Sequence, residues 1–153
     1  MELPIVNHPD YVAKINDDNK FPIKKFGALA DHLLKIGLVK KFYIPEACSI
    51  ETMKTSHSLE YINHIKNKTL DVKLQKKIGF PITNSVVRRS FVATGGTVLA
   101  SKLALNSKLA CNTAGGSHHA TFEFGAGYCV FNDVAVASHY LKNKGYAKKI
   151  LIV

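Results

Sequence analysis

A short apolar run, Leu109-Ala110-Cys111-Asn112-Thr113, leads into Gly115-Gly116-Ser117-His118-His119-Ala120, and a helix-period pattern resumes at Asp133. No other stretch restricts the chain as much. Glycines let a backbone turn sharply, or come close to a ligand, where a Cβ would clash. Directly after them stand two adjacent histidines, the side chains best suited to exchange protons near neutral pH. A second glycine pair, Gly125 and Gly127, leads on to Tyr128, Cys129 and the Asn132-Asp133 pair. An apolar run, a glycine turn, paired polar groups and a helix, in that order, place chemistry at the carboxyl end of a strand in an open α/β sheet.

Taken singly, each of these residues has an ordinary reading. A lone histidine is usually a surface or satisfied core residue, and that holds for His8, His32, His57, His64 and His139. Gly115 and Gly116 could form nothing but a turn, and Cys129 could be a small buried hydrophobe. Asn132 or Asp133 could simply cap the next helix. Two adjacent side chains on an extended segment would point to opposite faces, but the glycine turn releases this one from strand alternation. The coincidence of all these features in one stretch outweighs the ordinary readings.

The run Gly115-Gly116-Ser117-His118-His119-Ala120, with Gly127-Tyr128-Cys129 and Asn132-Asp133, resembles the signature of the zinc-dependent histone deacetylase family, which includes acetoin-utilisation and acetylpolyamine amidohydrolase proteins. Upstream, Phe21-Pro22-Ile23-Lys24-Lys25-Phe26, His57-Ser58-Leu59-Glu60-Tyr61 and Thr94-Gly95-Gly96-Thr97 also have counterparts. The last of these, continued by Ala100-Ser101-Lys102-Leu103-Ala104, is most similar to the class IV branch and its bacterial relatives. The resemblance implies an α/β fold of the arginase/deacetylase type, a three-layer parallel sheet with helices on both faces, here truncated. Residues 1–153 would then be the N-terminal part of one such domain.

The same resemblance implies hydrolysis of an acetyl-lysine or similar acetyl amide, with zinc activating the carbonyl and a water and a histidine accepting that water's proton. Carried over residue by residue, His119 is the general base and His118 its electrostatic and hydrogen-bonding partner. Tyr128 would line the acyl-lysine channel, the Gly127 carbonyl would accept from the substrate amide N–H, and Gly115, Gly116 and Cys129 would border the acetate end. The zinc ligands are expected beyond Val153, so no metal ligand is assigned within the chain, and residues 1–153 alone are expected to be inactive. His57 to Tyr61 is assigned packing. Many deacetylases hold a peptide substrate through an acid in the loop equivalent to Ile78–Asn84, and this loop has none. The carrier could be a protein lysine, a polyamine or a small acetyl amide.

Composition narrows the setting. A chain of 153 residues suffices for one domain burying about 70% of its unfolded surface, and 46% hydrophobic content with interspersed charge reads as globular. No apolar run approaches the ~20 residues that span a bilayer, so no membrane partner is expected. The acidic start Met1-Glu2-Leu3-Pro4 lacks the order of a signal peptide. Cys48, Cys111 and Cys129 have no metal-like spacing, which fits a reduced cytoplasmic setting. The net charge of +10 comes from lysines spread along the chain without interleaved aromatics, which places nucleic-acid binding well behind.

Apolar runs predict parallel strands at Leu3–Val6, Leu109–Thr113 and Lys149–Val153. Helices are expected from Phe26 to Gly37, from Ser58 to Ile65, from a cap at Ser85 through Leu105, and after Asp133 with Val134, Ala137, Ser138 and Leu141 inward. Lys66–Lys77 reads as exposed. Gly95 and Gly96 inside a helix cost roughly 1 kcal/mol each against alanine, so they predict a neighbour packed closely there. Stopping on Lys149–Val153 reads as a cut chain, the N-terminal half of a deacetylase. A truncated, non-catalytic protein that folds or binds is the alternative. A phosphate binder using the glycines ranks lowest, since no Lys-Ser/Thr follows them.

Overall fold

The structure, a computed structural model, describes residues 3–153. Two short strands, β1 (Ile5–Val6) and β2 (Cys111–Asn112), pair in parallel with Ile5 opposite Cys111 and Val6 opposite Asn112. Tyr43 extends the sheet on the other side of β1 through a parallel bridge to Val6, closed by Tyr43 N–H to the Ile5 carbonyl at 2.9 Å and Asn7 N–H to the Tyr43 carbonyl at 3.1 Å. β1 is therefore internal and both of its residues are buried.

Both strands fall inside the predicted runs but are shorter. Beyond β2 there is no further strand among the described residues, and Leu109 is 63% exposed. The predicted strand at Lys149–Val153 is absent: these residues are irregular, and Leu151 is 86% exposed. Their composition suits a strand, but strand propensity reflects packing and pairing with neighbours, and no ladder bond reaches them.

The longest helix, α5 (Asn84–Ser107), packs on both strands and on α6 (Asp133–Asn143). Its cap is Thr83, whose hydroxyl accepts from Val86 N–H at 3.3 Å. Ser85, expected in that role, instead accepts from Lys14 N–H at 2.8 Å. The glycines of α5 do meet a close neighbour. A Cβ on Gly95 would overlap the Glu46 carbonyl, and one on Gly96 would overlap Tyr11 Oη. The helix gives up propensity so that the backbone of the 44–48 connector and the ring of Tyr11 can lie on it.

The smaller helices follow local signals. α1 (Lys25–Lys35) buries Phe26 and Ala30 and is followed by Gly37 at φ 71°. α2 (Ile50–Met53) and α3 (Leu59–Asn67) start at Ser49 and Ser58, whose hydroxyls accept backbone N–H groups three residues on. Part of the stretch expected to be exposed forms α4 (Val72–Ile78), which begins at Asp71 and anchors in the core through Ile78, with Leu70 buried just before it. In α6 it is Val136 and Ala137 that are buried, while Val134, Ser138 and Leu141 are only partly covered.

Candidate functional site

The turn after β2 puts both histidines on one side of the loop. Gly116 has φ 95°, a left-handed conformation that glycine adopts without strain. The rings of His118 and His119 lie with centroids 4.3 Å apart and planes 38° apart. His118 Nδ1 is 2.9 Å from the Gly116 carbonyl. A carbonyl only accepts, so Nδ1 carries the proton and Nε2 is the bare nitrogen of the neutral ring. Both histidines are exposed.

Residues 132 and 133 grip this turn from the start of α6. Asn132 caps the helix, its Oδ1 accepting Ala135 N–H at 2.9 Å, while its Nδ2 reaches the carbonyls of His118 at 3.4 Å and Ala120 at 3.3 Å. Asp133 is 2% exposed. Its Oδ2 accepts from Gly116 N–H at 3.1 Å and from the Thr97 hydroxyl, and its Oδ1 accepts from Ser117 N–H at 2.7 Å. Burial raises the pKa of this carboxyl, opposed by those three partners. The network continues inward: Asn112 Nδ2 donates to Thr97 Oγ1 at 2.9 Å, and Tyr11 Oη donates to Asn112 Oδ1 at 2.9 Å. Gly115 has to be small here, because a Cβ would stand 2.9 Å from Thr97 Oγ1.

The far end of the loop is held from α3 and α4. His57, 1% exposed, accepts Asn132 N–H at Nε2 across 3.0 Å, so its proton sits on Nδ1 and donates to the Thr121 carbonyl at 2.8 Å. Burial lowers its pKa, against that carbonyl contact. Tyr61 Oη donates to the Val130 carbonyl at 2.7 Å. Gly127 (φ 53°) and Tyr128 (φ 65°) make a tight turn bridged by Ala126 and Cys129. That turn docks on α4 through Gly127 N–H to the Lys77 carbonyl at 3.0 Å and Tyr128 N–H to the Ile78 carbonyl at 2.7 Å. The half-buried Tyr128 ring packs 5.0 Å from Phe21 and 5.4 Å from Phe80, centroid to centroid. Cys129 is buried, with Sγ 3.6 Å from the Gly127 carbonyl.

The fold thus gathers Gly116, His118, His119, Gly127, Tyr128 and Cys129 onto one loop whose ends are both anchored. Sequence reasoning missed three participants. Asp133 read as a possible cap, and its partners lie sixteen, seventeen and thirty-six positions away. Thr97 was visible only as part of a glycine motif. Arg89, 6% exposed, was not singled out; its Nε donates to the Tyr11 carbonyl at 3.0 Å and its guanidinium lies 4.8 Å from the Phe26 ring centre. Burial pulls its pKa down to about 10, with Cys129, Asp133 and Tyr11 opposing. Among the described residues no group of three or more His, Cys, Asp or Glu side chains could hold a metal ion, and no helix is long and apolar enough to cross a membrane.

The architecture is that of the deacetylase fold. An HDAC homologue from Aquifex aeolicus superposes with a TM-score of 0.78 at 25% identity, over 95% of this chain and 42% of that one. An HDAC homologue complexed with SAHA gives the same TM-score of 0.78 at 24% identity. The histone deacetylase domain family matches residues 20–153, and the chain belongs to that family. An uncharacterised protein of Picosynechococcus is 41% identical over 100% of this chain and 52% of its own length. Histone deacetylase 2 of Arabidopsis thaliana is 27% identical over 87% of the chain and 36% of its own length. The acetoin utilization protein AcuC of Staphylococcus aureus is 24% identical over 92% of the chain. The chain spans about half the length, or less, of these relatives.

Proposed function

We propose that residues 1–153 form the proton-transfer and acyl-lining side of an acetyl-amide hydrolase site. Its substrate is an acetylated lysine, an acetylated polyamine or a small acetyl amide. The observation that carries this reading is the pairing of His118 and His119 on one side of a doubly anchored loop, with ring centroids 4.3 Å apart. Two imidazoles so placed can divide the work. His119, in its neutral form, accepts the proton of the attacking water. His118 stabilises the charge that develops.

The lining follows from the same loop. The Gly127 carbonyl accepts from the substrate amide N–H, and Tyr128, braced on Phe21 and Phe80, flanks the acyl chain. Gly116 and Cys129 border the acetyl end. Histone deacetylases are generally zinc-dependent, but the described residues do not fit a zinc ion. Its ligands would lie outside residues 1–153. No membrane or nucleic-acid partner enters this reading, and the setting is cytoplasmic.

The test is an acetyl-lysine fluorogenic assay on the uninterrupted reading frame that contains these residues, with zinc supplied. Turnover sensitive to a chelator is expected, and His119→Ala should lower kcat by roughly 10²–10⁴-fold without loss of bound metal. His118→Ala should cost less. Residues 1–153 alone should give no turnover. An unchanged kcat in His119→Ala, or loss of the metal from it, overturns these roles.

A further inference from the structure

We propose that Asp133 is a positioning residue for the histidine pair, acting through the backbone of Gly116 and Ser117 rather than through an imidazole. The inference rests on the hydrolase reading for what the histidines do, but its structural grounds are separate. The cap of α6 is already supplied by Asn132, so Asp133 is free of that duty. An acid in a first helical turn is favoured by the helix dipole, and it can be so at the surface. Asp133 instead is 2% exposed. Burying a carboxylate is costly unless hydrogen bonds satisfy it.

Its three donors show what the burial accomplishes. Two are the N–H groups of Gly116 and Ser117, the residues directly before His118, and the third is the Thr97 hydroxyl on α5. The Gly116–Ser117 peptide is thereby fixed relative to α5 and α6 together. Its carbonyl, that of Gly116, receives His118 Nδ1 at 2.9 Å. The carboxylate therefore sets the place of the very atom that selects the His118 tautomer. Asn132 Nδ2 then reaches the carbonyls on either side of His119, at 3.4 and 3.3 Å. Adjacent residues of one helix start hold the turn before and after the pair.

The experiment uses the full-length protein with Asp133→Asn, Thr97→Val and Thr97→Ser. Asparagine keeps the shape but turns an NH₂ toward groups that are themselves donors. Valine removes the hydroxyl, and serine restores it. Misplacement of about 1 Å costs on the order of 10²-fold in rate. Asp133→Asn should therefore lose about that much kcat while KM stays within about 2-fold. Thr97→Val should lose less, and Thr97→Ser should recover it. Imidazole ¹⁵N NMR should show His118 protonated on Nδ1 in the parent and a mixture of tautomers in Asp133→Asn.

Undiminished kcat in a folded Asp133→Asn protein overturns the proposal. So does a loss in Thr97→Val that serine fails to recover, or an unchanged His118 tautomer. Should Asp133→Asn not fold, the Thr97 pair decides through the carboxylate's anchor on α5: an undiminished kcat and an unchanged His118 tautomer in Thr97→Val overturn the proposal. If the parent hydrolyses no acetyl amide, the hydrolase reading fails while the NMR readout still decides the role of Asp133.

Discussion

The His119 ring lies against Gly127, so closely that a Cβ added at residue 127 would stand 3.0 Å from Cδ2 and 3.1 Å from Cγ of the imidazole. The two residues sit at opposite ends of the loop, and their contact closes it. Gly127 also has φ 53°, where a side chain is strained by about 1–3 kcal/mol. Gly127→Ala should accordingly lower stability by ~1–2 kcal/mol in urea unfolding and push the His119 ring aside. A variant with full kcat/KM would show that the ring position does not matter to turnover.

Gly96→Ala presents a contest between two effects. Alanine favours a helix interior by roughly 1 kcal/mol, but its Cβ would run into Tyr11 Oη and stand 2.9 Å from Asn112 Nδ2. Overpacking typically costs about 1–3 kcal/mol, so the clash wins. The thermal midpoint should fall, and should fall further than in Gly27→Ala, where the added carbon meets only Val12 Cγ2, at 3.2 Å.

His57 should make the fold sensitive to mild acid. Burial depresses its pKa below the ordinary 6.5, so the unfolded chain takes up a proton before the folded one does. The stability tied to neutral His57 is present above pH 6.5 and is lost as pH falls from there through the lower folded value. The raised pKa of Asp133 works the other way, in a window that opens upward from the ordinary carboxylate value. Denaturant midpoints should therefore drop between about pH 7.5 and 5.5 in the parent, and less in His57→Gln. Equal slopes in the two proteins would refute the assignment.

Arg89→Met should lower stability by about 1.5–3 kcal/mol, the usual worth of a hydrogen bond to a charged group, because the Tyr11 carbonyl loses its donor at 3.0 Å. Arg89→Lys should recover only part of it. An ammonium cannot stack flat on Phe26 while pointing a fixed N–H at that carbonyl. Chemical denaturation of the three proteins would rank them, and a lysine variant as stable as the parent would contradict this account.

Much of the helical frame was readable from local signals. Phe26 and Ala30 marked α1, Ser58 marked the start of α3, and the Gly95-Gly96 pair foretold a close neighbour. These features depend on residues a few positions apart. What escaped depends on distant partners. Asp133 could not be told from a cap, because the amides it binds belong to a turn sixteen and seventeen positions earlier in the chain. Thr83 displaced Ser85 as the cap of α5 because the backbone of Lys14 takes the Ser85 hydroxyl. Lys149–Val153 has the composition of a strand, and pairing is a property of two segments rather than one.

Most of the polar grips on the loop from Gly116 to Val130 fall on its main chain. Asp133 takes its amides, Asn132 and Tyr61 reach its carbonyls, and His57 takes the Thr121 carbonyl. Peptide groups are common to every residue, so those grips do not read the side chains between them. Phe122 and Glu123 are exposed, and they could be exchanged over generations without removing any of those grips. A protein built this way can alter its exposed rim while the turn beneath stays still.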